Sequence, residues 1–134
     1  MTNIDKKIYS NELQLSPVST DREWDAVRYL RQKYFFDRVP IDDPYTWTFN
    51  DPRHVHFIFY KKTKIIGYAH IQLWPENRAA LRIIVIEEPY RNKGIGSKFL
   101  KLCERWLSQK NINQLLVQSS PEAYKFLSSI FFFG

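Results

Sequence analysis

Residues 83–97 read I-I-V-I-E-E-P-Y-R-N-K-G-I-G-S, and this stretch constrains the fold more than any other in the chain. Ile83, Ile84, Val85 and Ile86 are consecutive β-branched residues, the pattern of a strand covered on both faces. Glu87, Glu88 and Pro89 end it, because Pro89 has no N–H to give a ladder and biases Glu88 away from helix. Arg91, Lys93, Gly94 and Gly96 follow. Two of the chain's 4 glycines stand here, at a helix start, where a missing Cβ permits positive φ and close approach to the backbone. Backbone N–H groups at a helix N-terminus, with basic side chains beside them, make an anion site. The turn therefore reads as a site for a phosphate-bearing ligand. An ordinary strand-to-helix connection with solvated basic residues has the same spacing, and the turn alone does not separate the two.

A chain of 134 residues has room for one domain, 1–134, and one substantial core. A hydrophobic fraction of 44% with 16% aromatics argues for a folded chain. No apolar run approaches the ~20 residues a bilayer requires, and residues 1–11 are polar and mixed in charge, unlike a secretory signal. No membrane association is expected. Cys103 is the single cysteine, so no internal disulfide forms and the cytoplasm is the expected location. Twenty basic against 14 acidic residues give a charge of +6, which favours anionic partners such as a polyphosphate cofactor or nucleic acid. The basic residues are scattered (Lys6, Lys7; Lys61, Lys62, Lys64; Lys98, Lys101), and this argues against nucleic acid.

Taken in order, residues 1–11 read as a poorly ordered lead-in. Leu13 and Leu15 alternate with polar residues up to Pro17, as in a short first strand. Thr20 or Asp21 can cap a helix, and Trp24, Val27, Leu30, Arg31 and Tyr34 keep helical spacing, which predicts a helix over about 21–36. Residues 39–50 hold two prolines and the pair Asp42 and Asp43 among aromatics. They read as a connecting loop docked on the core, or as a pocket wall whose acids attract a cationic amine. Residues 54–60, 65–73 and 79–86 form an antiparallel meander, with Gly67 inside its second strand. Ile95, Phe99, Leu102, Cys103, Trp106 and Leu107 form one helical stripe, with Cys103 in the core. Residues 114–118 suit a short strand, made parallel to the central one by the helical crossover. Ser119 or Ser120 caps a last helix that begins with Pro121 and runs to about Ile130.

Arg91-x-x-Gly94-x-Gly96 lacks the glycine spacing of a P-loop and of the dinucleotide fingerprint. It resembles the acyl-CoA signature of the GNAT superfamily of N-acetyltransferases, Arg/Gln-x-x-Gly-x-Gly/Ala. The surrounding order agrees: a meander, an apolar strand, E-E-P-Y-R-N-K-G-I-G, an amphipathic helix, a short parallel strand and S-P-E-A-Y-K-F-L. The resemblance implies an α/β (α+β) fold: a mixed, mostly antiparallel twisted sheet flanked by helices, with a splay between the central strand and the parallel one after it. It implies acetyl-CoA as co-substrate in that splay, and transfer of its acetyl group to a primary amine of a small molecule or a protein. The pyrophosphate would take the N–H groups of Asn92, Lys93, Gly94, Ile95, Gly96 and Ser97, with charge from Arg91 and Lys93. The pantetheine arm would run along Ile84, Val85 and Ile86, pairing with the backbone of the first and last. No metal is implied, and backbone donors on the central strand would stabilise the oxyanion.

The catalytic residues are less plainly written. Many members of the superfamily carry a tyrosine acid in the final helix, and aligning Pro121 and Ala123 puts Leu127 there. Tyr124, about one turn earlier, is a substitute acid or a packing residue. His70 and Glu87 or Glu88 are the candidate bases, against readings as a hydrogen-bonded histidine and solvated carboxylates. The superfamily's last strand is expected to be missing or shortened. Phe131, Phe132 and Phe133 would then expose an apolar edge, from which a homodimer through the C-terminal end is expected. A catalytically weak acyl-CoA-binding domain is the alternative function.

Overall fold

The computed structural model describes residues 8–10, 12–37, 41–117 and 130–132. Among them, strands β1 (Ile8–Ser10), β2 (Leu13–Pro17), β3 (His54–Lys61), β4 (Lys64–Trp74), β5 (Arg78–Ile86), β6 (Gln114–Val117) and β7 (Ile130–Phe132) stand in one sheet in chain order. Every neighbouring pair is antiparallel except β5 and β6, which are parallel. Helix α1 (Asp21–Arg31) packs on one face and α2 (Ile95–Gln109) on the other.

Helix α1 starts where Thr20 forms a capping box. The Glu23 N–H donates to Thr20 Oγ1 at 3.1 Å, and the Thr20 N–H donates to Glu23 Oε1 at 3.3 Å. Glu23 also accepts from Tyr60 Oη at 2.6 Å, which ties the helix start to β3. The spacing predicts one regular helix to 36. Instead the α-helix ends at Arg31 and continues as a π-helical turn, Gln32–Phe36, closed by the Asp37 N–H on the Gln32 carbonyl at 2.9 Å. Such widened turns are rare and gather at functional sites.

The two sheet faces sort the apolar residues by strand alternation. Ile84 and Ile86 join Phe57, Phe59, Ala69, Ile71 and the predicted stripe of α2, all buried, while Val85 and Ile83 pack beneath α1 with Val27, Leu30 and Ile58. Phe59 stacks on Phe99 with ring centroids 4.0 Å apart, and Phe57 meets Trp106 edge-on at 5.0 Å. Cys103 lies in this core, fully buried. Gly67 is required in β4, because a Cβ there would sit 2.8 Å from the Val85 carbonyl oxygen.

The central strand bends where it matters. His70 pairs with Ile83 and Ile71 with Leu81, so Arg82 has no opposite residue and forms a bulge. The parallel pairing of β5 with β6 ends at the adjacent pair, Leu81 with Val117. The described part of β6 ends at Val117, so how β5 and β6 part beyond this pair, the expected splay, lies outside the described residues. The mixed sheet flanked by helices is as expected.

Three expectations need correction or restriction. Residues 8–10 are not lead-in, because Ile8, Tyr9 and Ser10 pair with Leu15, Gln14 and Leu13 and so extend the sheet. Ile130 is not helical, since it pairs with Leu116 in β7, so a last strand is present, described over Ile130–Phe132. The expected final helix, with Pro121, Tyr124 and Leu127, lies outside the described residues.

Candidate active site

The turn after β5 is built around left-handed backbone. Asn92 has φ 63° and Gly94 has φ 74°, and Gly94 is the N-cap of α2 with no side-chain cap. The first intrahelical bond runs from the Lys98 N–H to the Gly94 carbonyl at 3.3 Å. The N–H groups of Ile95, Gly96 and Ser97 precede it and have no carbonyl one turn back within the helix. A Cβ placed on Gly94 would meet nothing within 4 Å, so a ligand can approach that backbone closely. Arg91, Asn92, Lys93, Ser97 and Lys98 are exposed around it. Positive side chains, the helix dipole and open backbone donors together suit a diphosphate.

The same geometry sorts the strand residues. The Glu87 N–H donates to the Ile66 carbonyl at 2.8 Å, and Val85 pairs with Tyr68. Antiparallel alternation then turns the backbone groups of Val85 towards β4, and those of Ile84 and Ile86 away from it, to the side on which β6 lies. Val85 therefore differs from its two neighbours: its backbone bonds to β4 and its side chain packs in the core beneath α1. The Ile86 carbonyl accepts from Arg91 Nε at 2.7 Å, which folds the arginine of the turn back along the strand.

Glu87 follows the last residue of β5, with its side chain 23% exposed. Its Oε1 accepts from Tyr34 Oη at 2.7 Å and from Lys33 Nζ at 3.4 Å. The Tyr34 oxygen in turn accepts from the Glu88 N–H at 3.3 Å, and the Arg91 guanidinium lies 5.0 Å from the centre of the Tyr34 ring. Burial and the bond to Glu87 push the Tyr34 hydroxyl above its ordinary pKa, so it remains a donor. Glu88 is exposed at the start of a short 3₁₀ turn, Glu88–Tyr90.

His70 lies elsewhere, in a buried polar network beneath α1 that contains all 3 histidines of the chain. Arg31, 1% exposed, is its hub. Its Nε and Nη2 hold the two oxygens of Asp43, the latter at 3.2 Å, while Nη1 donates to Tyr68 Oη at 2.9 Å and to His70 Nδ1 at 3.3 Å. A guanidinium and a backbone carbonyl each act in one direction only, and between them they order the protons of the network. His70 accepts at Nδ1, so its proton is on Nε2 and points to His54 Nδ1 at 2.8 Å. Tyr68 gives its proton to His56 Nδ1 at 2.7 Å, and His56 Nε2 donates to the Thr48 carbonyl at 3.3 Å. Burial, then the neighbouring His56 and Arg31, lower the His70 pKa to about 2, and burial with Arg31 lowers that of His56 to about 4. Burial also lowers His54. His70 thus has no lone pair to offer an outside group.

The network also decides the role of residues 41–50. Asp43, read from sequence as attracting a cationic amine, is taken by Arg31 and is only 9% exposed, whereas Asp42 is exposed. Arg31 through Asp43 and His56 through Thr48 pin this loop to helix and sheet, while Ile41, Tyr45 and Trp47 stay exposed. Beside it, over β3, a cleft of about 310 Å³ is lined by Trp24, Phe49, Asp51 and His54 among others and shares no residue with the glycine turn. Sequence reading placed Arg31 and Tyr34 on the buried stripe of α1 but gave neither a polar task. The available signal was an arginine on a core-facing position, since a buried guanidinium requires partners.

Comparison with known proteins adds the following. A family model described as the acetyltransferase (GNAT) family matches residues 24–128. Among proteins with curated descriptions, none matches this sequence. Solved structures do. An aminoglycoside acetyltransferase from an uncultured soil metagenomic sample, in complex with trehalose, aligns at TM-score 0.66 and 15% identity over 84% of this chain and 80% of its own. The ribosomal-protein alanine N-acetyltransferase of Escherichia coli aligns at TM-score 0.60 and 17% identity, over 81% of this chain and 70% of its own. Naa50 of Arabidopsis thaliana, bound to a bisubstrate analogue of CoA, aligns at TM-score 0.60 and 20% identity, over 83% and 76%. At these identities the likeness is one of fold.

Proposed function

The chain belongs to the acetyltransferase (GNAT) family, and we propose that it transfers an acetyl group from acetyl-CoA to a primary amine of a small molecule or a protein. One observation carries this reading: an uncapped helix N-terminus with a left-handed glycine, placed at the end of a central strand that bulges at Arg82. These residues fit the co-substrate. Gly94 admits a diphosphate to the N–H groups of Ile95, Gly96 and Ser97, Asn92 shapes the turn, and Arg91 and Lys93 supply charge. The pantetheine arm runs beside β5 on the side that Ile84 and Ile86 turn away from β4, and Arg91 leaves the Ile86 carbonyl to make room. Acetyl-CoA supplies the activated thioester, so a C–N bond to the acceptor forms as the C–S bond breaks.

The chain's own task is to take a proton from the acceptor, since only a neutral amine attacks. We assign it to Glu87, directly or through one water, because Glu87 is partly exposed beside the glycine turn. His70, neutral and bonded at both nitrogens, serves the fold instead. Tyr124, the remaining acid candidate, lies outside the described residues. The loop 41–50, with exposed Asp42, Tyr45 and Trp47, forms the acceptor wall in this reading.

The test is a thermal-shift titration with acetyl-CoA and CoA, followed by thiol release across a panel of amines. Stabilisation by both ligands is expected, together with turnover that falls roughly a hundredfold in Glu87→Gln. Absence of any shift with either ligand overturns the reading.

A further inference from the structure

Nothing in the reaction as described uses Tyr34, yet this residue touches both halves of the site. It lies in the π-helical turn that replaces the last regular turn of the helix before the loop. From there its hydroxyl reaches the end of β5, where it donates to Glu87 Oε1 at 2.7 Å and accepts from the Glu88 N–H at 3.3 Å. The partners set both directions. A carboxylate can only accept, so the Tyr34 proton is committed to Glu87, and a backbone N–H can only donate, so the Tyr34 oxygen accepts from Glu88. The other Glu87 oxygen, Oε2, takes neither of these bonds. On its ring face the tyrosine carries Arg91, whose guanidinium is 5.0 Å from the ring centre and whose Nε holds the Ile86 carbonyl at 2.7 Å.

We propose that Tyr34 is a positioning residue: its hydroxyl aims Glu87 so that Oε2 faces the acceptor, and its ring steers Arg91 between the strand edge and the diphosphate. This inference rests on the assignment of Glu87 as base. Two charged groups on one strand end would otherwise swing freely, Glu87 after the last sheet pair and Arg91 on an exposed turn. A half-buried tyrosine anchored in the core beneath α1 gives both a rigid reference. Lys33 is a weaker second tie on the same oxygen, exposed and 3.4 Å away.

The hydroxyl and the ring are separable by substitution. Tyr34→Phe keeps the ring and its packing and removes only the proton donor. It should lower kcat roughly tenfold, the effect of one hydrogen bond to a charged group, and leave KM for acetyl-CoA unchanged. Tyr34→Leu removes the ring as well and should also raise KM for acetyl-CoA. The deciding measurement is the double variant with Glu87→Gln. If the hydroxyl works through the carboxylate, Tyr34→Phe costs nothing further once Glu87 is gone, whereas a merely structural role adds its effect in full. A Tyr34→Phe enzyme with unchanged kcat, or with an effect that adds to that of Glu87→Gln, overturns the inference. Unchanged kcat in Glu87→Gln alone overturns the base assignment, and the two failures are thereby distinguished.

Discussion

The two faces of the sheet solve the same burial problem with opposite chemistry. Under α2 the core is dry, with Phe57, Phe59, Phe99, Leu102, Cys103, Trp106 and Leu107 buried in apolar contact. Under α1 the same strands present His56, Tyr68 and His70 around a guanidinium that is 1% exposed. The apolar face is held by contacts that tolerate repacking. The polar face is held by donors and acceptors with fixed directions around Arg31, so the loss of one member costs its neighbours a partner. The polar face is also the one that fixes the loop 41–50, through Asp43 and Thr48. Apolar packing sets where the strands lie, and the directional network sets where the loop beside them stops.

Breaking each face in turn tests this contrast. Arg31→Met should be the most damaging, because it leaves the largely buried Asp43 carboxylate without its cation and removes the donor to Tyr68 Oη and His70 Nδ1. A loss of about 3–5 kcal/mol in urea unfolding is expected, with Asp43→Asn in the same background costing little more.

Acid comes next. The unfolded His56 titrates at the ordinary imidazole value of 6.5, and burial with the neighbouring Arg31 lowers the folded one to about 4. The unfolded chain therefore binds the proton first. Above pH 6.5 neither state is protonated and the stability is intact. It is lost as pH falls from there through 4, by roughly 3 kcal/mol for this residue. His70, depressed to about 2, extends the loss further into acid. Unfolding midpoints between pH 7 and 4 should show the decline, and His56→Gln should flatten it; a flat wild-type profile would sink the idea that these rings are neutral in the fold.

The smallest effect belongs to the dry face. Phe99→Leu removes the stack on Phe59 and should cost roughly 1 kcal/mol, equally at pH 7 and pH 5. A pH-dependent cost there would mean that the two faces are coupled through the sheet.

The dry face was readable from spacing alone. The stripe from Ile95 to Leu107, the run from Ile83 to Ile86 and the glycine turn each announce a local preference, and the structure realises all three. The carboxylate at Glu87 was readable as a candidate because it adjoins that turn in sequence. Sequence left open whether Asp43 belongs to a docked loop or to a pocket wall, and the structure gives it to Arg31. That partner is twelve residues away on a different element, and no local pattern pairs the two. Residues 8–10 were missed for a related reason, since a three-residue strand carries little signal until β2 is there to pair with it.

Sequence by itself therefore determined the main elements, their order, the two-faced central strand and the glycine turn, because periodicity, proline and glycine act within a few residues of where they stand. Only the tertiary structure decided that Arg82 bulges, that the three histidines share one network with Arg31, and that Tyr34 meets Glu87. Those outcomes depend on hydrogen bonds between residues far apart in the chain, whose donors and acceptors choose their partners only when strands and helix have closed around them.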